Sequence, residues 1–200
     1  MQSMIVRRAG LGLLASAALV TGVAACGTPA APPSPPPPPA ASTAQHNQQD
    51  VMFAQMMIPH HQQAITMSEH ELAGGMDPKV KDLAMQIKQA QGPEIAQMQG
   101  WLAAWQAPPA MGGMMEHGQP MMGQGGGMMS PQDMSRFQAA RGAELDRMFL
   151  QMMIQHHQGA VDMARGEIQQ GQDPQAKHLA KSIVDSQQAQ IGDMQQMLGR

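Results

Sequence analysis

Phe53-Ala-Gln-Met-Met-Ile-Pro-His-His-Gln-Gln-Ala-Ile-Thr-Met67 and Phe149-Leu-Gln-Met-Met-Ile-Gln-His-His-Gln-Gly-Ala-Val-Asp-Met163 are two copies of one segment, offset by 96 residues. The offset holds without a gap through Asp77-Pro78 and Asp173-Pro174. It continues through Leu83/Leu179, Ile87/Ile183, Gln91/Gln187, Ile95/Ile191, Met98/Met194 and Leu102/Leu198. A constant offset over some fifty positions marks an internal duplication of one supersecondary unit.

Each copy reads as a helical hairpin. A helix starting near Gln48 ends at Gly74-Gly75. Asp77 then caps the next helix, with Pro78 at its first position, and Gly171, Asp173 and Pro174 repeat the arrangement. Leu83, Ile87, Gln91, Ile95, Met98 and Leu102 recur at three- and four-residue steps, the stripe of a buried face. No alternating strand pattern occurs. The expected fold is all-α: an antiparallel four-helix bundle made of two duplicated helical hairpins, 46–106 and 131–200, closing on each other as one domain because neither can cover its own stripe.

The remaining chain falls into segments of different chemistry. Residues 1–25 carry Arg7 and Arg8, then a small-residue apolar run too short for a stable span, the layout of a signal peptide. The run ends at Val23-Ala24-Ala25-Cys26, which resembles a lipobox. Cys26 is the only cysteine, and a lone thiol in an oxidising compartment is otherwise a liability, so Cys26 is the expected lipidation site. Residues 26–45 hold the unbroken Pro35 to Pro39, a spacer of polyproline character. The expectation is an extracytoplasmic protein, periplasmic or at the cell surface, held at the membrane by its lipid.

Loss of the leader leaves 10 basic against 15 acidic residues, a net charge of about −5, which argues against nucleic acid as a partner. Tyrosine is absent and Phe and Trp together number five, so base stacking is excluded as well.

The unusual number is 23 methionines. At about 100° per residue, Met52, Met56, Met67, His60, Glu71 and Met57 share one arc of the first helix, with His61 on its flank. Met148, Met152, Met163, His156, Glu167 and Met153 repeat that arc, with His157 on the flank. An antiparallel hairpin turning near Met76 brings Met98 within a turn of Met56 and Met57, and sets Met67 level with Met85; Met194 is the second copy's Met98. A lone inward Met or His is more often core filling. Four inward-side histidines, repeated in register, are costly to satisfy without a metal or a polar network. Thioethers select Cu(I), imidazole suits copper, and Ag(I) fits the same donors. The candidate ligands are therefore Met56, Met57, His60, His61, Met67, Met98, Met152, Met153, His156, His157, Met163 and Met194. Glu71 and Glu167 are candidates to bond these histidines from behind.

Pro59 and Pro93 free the carbonyls of Gln55 and Gln89 and should kink the first hairpin. Gln155 and Ala189 replace them in the second, so the two sites are expected to be unequal, the first the more open. Residues 107–130 form a Met/Gly-rich loop whose Met111, Met114, Met115, His117, Met121, Met122, Met128 and Met129 suit low-affinity Cu(I) capture. His46, His70 and His178 read as surface residues.

Met57-Ile58-Pro59-His60-His61-Gln62, Ala64-Ile65, Met67, Gln91, Glu94-Ile95, Met98 and Trp101-Leu102 resemble the domain of unknown function 305 family, over about Asp50 to Leu102 and again Asp146 to Leu198. The resemblance implies a ferritin-like bundle and binding of copper outside the cytoplasm. The second copy departs from the pattern at Gln155, Gln190 and Met197. No Glu-x-x-His occurs, which removes a di-iron bundle enzyme. No nucleophile–base pair is visible, so catalysis is not expected. The rival reading is a metal-free structural or partner-binding bundle on a membrane-anchored stalk. A copper-handling protein or a second copy of the chain are the candidate protein partners.

Overall fold

The computed structural model of the protein describes residues 45–109 and 126–199. The expected leader, Cys26, the proline tract and Met111 to Met122 lie outside them.

Five helices form: α1 (Gln48–Gly74), α2 (Pro78–Ala104), α3 (Pro131–Ala139), α4 (Gly142–Gln170) and α5 (Pro174–Leu198). No strand occurs among the described residues, and none of their helices is long and apolar enough to cross a membrane. The start signals act as read. Asp77 and Asp173 accept from the backbone N–H groups of Lys79 and Gln175, with a proline at the first helical position of α2 and α5. Asn47 adds a capping box with Asp50 at the start of α1.

One expectation needs correction. Helix does restart at Pro131, capped by Ser130, but stops after nine residues. Gly142, at φ +59, then turns the chain into α4. The extra helix buries Phe137 completely and packs it near Phe149.

The hairpins α1–α2 and α4–α5 pack tightly, and α1 lies against α4 to join them, while the seam between α2 and α5 is the loosest. At the α1–α4 seam Asp50 lies beside Glu167 and Asp146 beside Glu71, so the two helices run antiparallel. His60 and His156 meet midway, their ring centroids 3.7 Å apart. Within the first hairpin His61 meets Glu94 and Glu69 meets Lys88, each at 2.8 Å. That register is about one turn out from a hairpin centred on Met76. The extended residues Gly75 to Asp77 carry the chain past the end of α1 before α2 begins. Met85 therefore stands 46 % exposed rather than level with buried Met67.

Two apolar clusters fill the bundle, one on each side of the histidines. The first holds Phe53, Met57, Met98, Trp101 and Leu102 with Leu179 and Ile183. The second holds Met67, Leu83 and Ile87 with Leu145, Phe149, Met153 and Met194. The duplication exchanges one cluster for the other.

Each cluster is closed at its end by a reciprocal carboxyl clasp. Asp146 on α4 accepts from the N–H groups of Met76 and Asp77 at 2.7 and 3.0 Å. Asp50 on α1 accepts from those of Gln172 and Asp173 at 3.0 and 2.9 Å. Behind them Glu71 and Glu167 are fully buried, with no donor reaching either carboxylate oxygen. A Cβ on Gly75 would lie 1.9 Å from Glu71 Oε1, and one on Gly171 2.1 Å from Glu167 Oε1. These glycines end their helices in extended, not left-handed, backbone. They are required for space, not for φ.

Burial first, then the hydrogen bond and charge of Asp146, push Glu71 up to about 8 against the opposing charge of Lys81. Burial and Asp50 do the same to Glu167. Burial alone would raise Asp50 too, but hydrogen bonds from Glu167 and from the backbone of Asn47, Asp173 and Gln172 outweigh it and hold it low. Burial and the neighbouring aspartate thus keep Glu71 and Glu167 protonated at neutral pH, each beside a carboxyl group its proton can reach. In the unfolded chain a glutamate loses its proton near its ordinary value of about 4.3. The native state holds more protons above that, so the clasp's contribution falls as pH rises and is gone once pH passes about 8. The expected result is a melting temperature that declines from about pH 6.5, above which the unfolded histidines no longer take up protons, to about pH 8 and then levels. In the Glu71→Gln/Glu167→Gln variant, whose amides donate without titrating, that decline flattens. A decline unchanged in the variant rules these glutamate protons out.

Candidate metal centre

α1 and α4 each present two consecutive histidines where they cross. His60 is 1 % exposed and His61, His156 and His157 are 0 % exposed. Both copies are sealed, so the proline-bearing copy is not the more open one, and α1 and α2 run unbroken through Pro59 and Pro93. His61 and His157 are not flank residues either. α1 packs on α2 as well as on α4 and therefore buries two faces; His60 turns to His156 across the seam and His61 turns to α2.

The ring nitrogens can be assigned from their partners. His61 Nε2 lies 2.8 Å from Glu94 Oε2, His157 Nε2 lies 2.8 Å from Gln190 Oε1, and His60 Nε2 lies 2.9 Å from the carbonyl of Gly126. All three partners are oxygen acceptors, so each Nε2 carries the hydrogen and each Nδ1 is a bare lone pair. The Nδ1 atoms of all four histidines are buried with no hydrogen-bond partner, and so is Nε2 of His156. Gln91 and Gln187, one turn from Glu94 and Gln190, add two buried unpaired carbonyl oxygens.

Burial keeps His60, His156 and His157 neutral. Burial, followed by the neighbouring His61, takes His60 down to about 3, against the Gly126 hydrogen bond. Burial, eased by Gln190, takes His157 to about 4. Burial with the other three histidines takes His156 well below its ordinary value. No proton has to leave before a lone pair can bind a cation at neutral pH.

The thioethers are distributed by the pseudo-symmetry. Met57, Met98 and half-buried Met163 share the first cluster. Met153, Met194, Met67 and half-buried Met152 share the second. Each side of the histidine layer thus has sulfur from both hairpins. Met56 is half-buried and joins neither cluster. Glu71 and Glu167 do not back the histidines: they lie about three turns away, in the clasps. His46 is exposed and stacks on Trp105, with centroids 4.9 Å apart. His178 is exposed, and His70 is half-buried against Phe137.

Sequence reasoning missed the backing groups. Glu94 and Gln190 each lie 33 residues beyond their histidine, a repeated spacing that could have revealed them. It also missed the strap 126–129. Gln63 donates to the Met129 carbonyl at 3.0 Å and accepts from its N–H at 2.7 Å, burying Met129 and holding the end of the expected loop in place. At Gly159 a Cβ would lie 1.9 Å from the Gly126 carbonyl oxygen, so the strap can cross only because that side chain is missing.

Among the described residues no three His, Cys, Asp or Glu side chains are grouped closely enough to hold a metal. What the layer offers is buried, unpaired nitrogen donors between two thioether-bearing clusters, a set suited to soft monovalent ions.

A duplicated helical bundle with an imidazole layer at its two-fold seam is the class that fold and site define. The family model described as Domain of unknown function (DUF305) matches residues 50–198, and the chain belongs to that family. Among solved structures it is similar to a DUF305 fragment from Deinococcus radiodurans, at 32 % identity and TM-score 0.68 over 77 % of this chain and 97 % of that one. A DUF305 protein from Streptomyces coelicolor gives 33 % identity and 0.68 over 76 % and 92 %. CopM in its Cu(II)-bound form gives 36 % and 0.64 over 75 % and 95 %; CopM is also known in Cu(I)-bound and Ag-bound forms. An uncharacterized protein of Acanthamoeba polyphaga mimivirus is 38 % identical over 53 residues, a stretch spanning 26 % of this chain and 35 % of the viral one.

An unpaired buried polar group costs about 1–3 kcal/mol. His156 has neither nitrogen paired. Replacing it with leucine should therefore stabilise the metal-free protein by about 1–3 kcal/mol in urea unfolding. A loss of stability on that replacement means that His156 is a packed structural residue.

Proposed function

We propose that this protein binds copper outside the cytoplasm, as Cu(I), with Ag(I) able to substitute, and that it sequesters the ion or passes it on rather than catalysing a reaction. One observation carries the reading: four buried histidines with four unpaired Nδ1 atoms at the crossing of α1 and α4. A core selected for stability alone would not keep them. Met57, Met98 and Met163 on one side, and Met67, Met152, Met153 and Met194 on the other, are the thioethers within reach of rearrangement around that layer; Met56 is the outlying candidate. The likeness to CopM, known with Cu(I), Cu(II) and Ag, supports the same reading. Anchoring through lipid on Cys26 belongs to the proposal and rests on the sequence: a Cys26→Ser variant should leave the membrane fraction for the soluble one.

Ag(I) at 100 times its dissociation constant should stabilise the bundle by about 2.7 kcal/mol, read as a rise in melting temperature. The His60→Ala/His61→Ala/His156→Ala/His157→Ala variant should lose most of its Cu(I) affinity in a competition titration. Binding equal to wild type places the ion elsewhere.

A metal-free structural or partner-binding bundle is the second reading, favoured by the lack of three converging His or acidic ligands among the described residues. It calls for a melting curve that Ag(I) leaves unmoved.

A further inference from the structure

The two hairpins are superposable in sequence around the histidine layer, yet differ by one charge. Glu94 and Gln190 are equivalent positions, and each accepts from the Nε2–H of its histidine at the same 2.8 Å. One does so with a carboxylate and the other with a neutral amide. Among the described residues Glu94 makes no ion pair with a lysine or arginine; its one charged-group contact is His61. It is 18 % exposed while His61 is sealed, so its charge is only partly met by water.

A carboxylate behind an imidazole orients the ring and raises the donor strength of the opposite nitrogen. It also supplies a negative charge to whatever cation sits on that nitrogen. By Coulomb's law a divalent ion gains twice what a monovalent ion gains from it. Imidazole nitrogen with carboxylate support suits Cu(II), whereas neutral imidazole with thioether suits Cu(I) and Ag(I). His157 has only the Gln190 amide dipole behind it.

We propose that Glu94 determines valence specificity: the His61–Glu94 half of the layer accepts Cu(II) through His61 Nδ1, and the His157–Gln190 half accepts only the monovalent ions. The inference rests on the copper reading and divides its site in two. No redox step is involved; the two halves differ in which ion they hold.

The full chain, its Glu94→Gln variant and its Gln190→Glu variant would be titrated separately with Cu(II) chloride, followed by electron paramagnetic resonance, and with Ag(I) nitrate in competition. Gln190 already holds the same imidazole in the second hairpin, so the amide at position 94 preserves the fold, which a melting curve checks. Glu94→Gln should weaken Cu(II) binding by about 10–100-fold and leave Ag(I) within about threefold. Gln190→Glu should add a second Cu(II) per chain. Unchanged Cu(II) binding in Glu94→Gln overturns the proposal, as does an equal loss of both ions. A wild-type chain that takes Ag(I) but no Cu(II) overturns it and leaves the copper reading standing. A chain that takes neither ion overturns both.

Discussion

The contact between His60 and His156 is the constraint around which the bundle is arranged. Two hairpins descended from one sequence meet across a pseudo-two-fold axis, and the residues on that axis meet their own copies. Apolar side chains there would have merged the two clusters into one ordinary core. Imidazoles divide it. They leave a layer of unpaired nitrogen at the centre, sulfur-bearing clusters on either side and a carboxyl clasp at each far end. Since α1 and α4 each span clasp, cluster, layer, cluster and clasp, a shift of one helix against the other disturbs every level together.

The same symmetry explains how opposite pKa shifts coexist. Burial pushes every ionisable group toward its neutral form. For His60, His156 and His157 that form is the one with a free lone pair. For Glu71 and Glu167 it is the one with a proton to donate to an aspartate. Acidification strains the layer and alkalinity strains the clasps, which leaves the metal-free fold most secure between the two.

Much of this was legible in the chain itself, for local reasons. Helix starts rest on a side chain a few residues away, so Asp77-Pro78 and Asp173-Pro174 declare themselves, and a 96-residue offset needs no structure to be seen. The buried methionines and the four histidines followed from helical periodicity. What failed was what depends on having two neighbours. A helical wheel assigns one inner face, but α1 packs on both α2 and α4, so His61 looked peripheral although it is fully buried. Glu71 shared the arc of His60 on the wheel; axial distance, which a wheel discards, puts it in the clasp instead. Gly75 and Gly171 were read as backbone signals when their importance is the volume they leave for a carboxyl group. The break between α3 and α4 rests on a left-handed glycine inside a stretch with good helical composition.

A single strand cannot cross a two-fold axis and treat both sides alike, and the strap 126–129 crosses this one. Gln63 and Gly159 are equivalent positions in the duplication, and the strap uses both: one for an amide that grips Met129, the other for the absence of any side chain. One imidazole of the central pair donates to the Gly126 carbonyl, and its twin has no partner. An ancestor assembled from two identical hairpins would have had two indistinguishable faces. Joining them end to end gave the molecule a front and a back, and freed each half to diverge in what it holds.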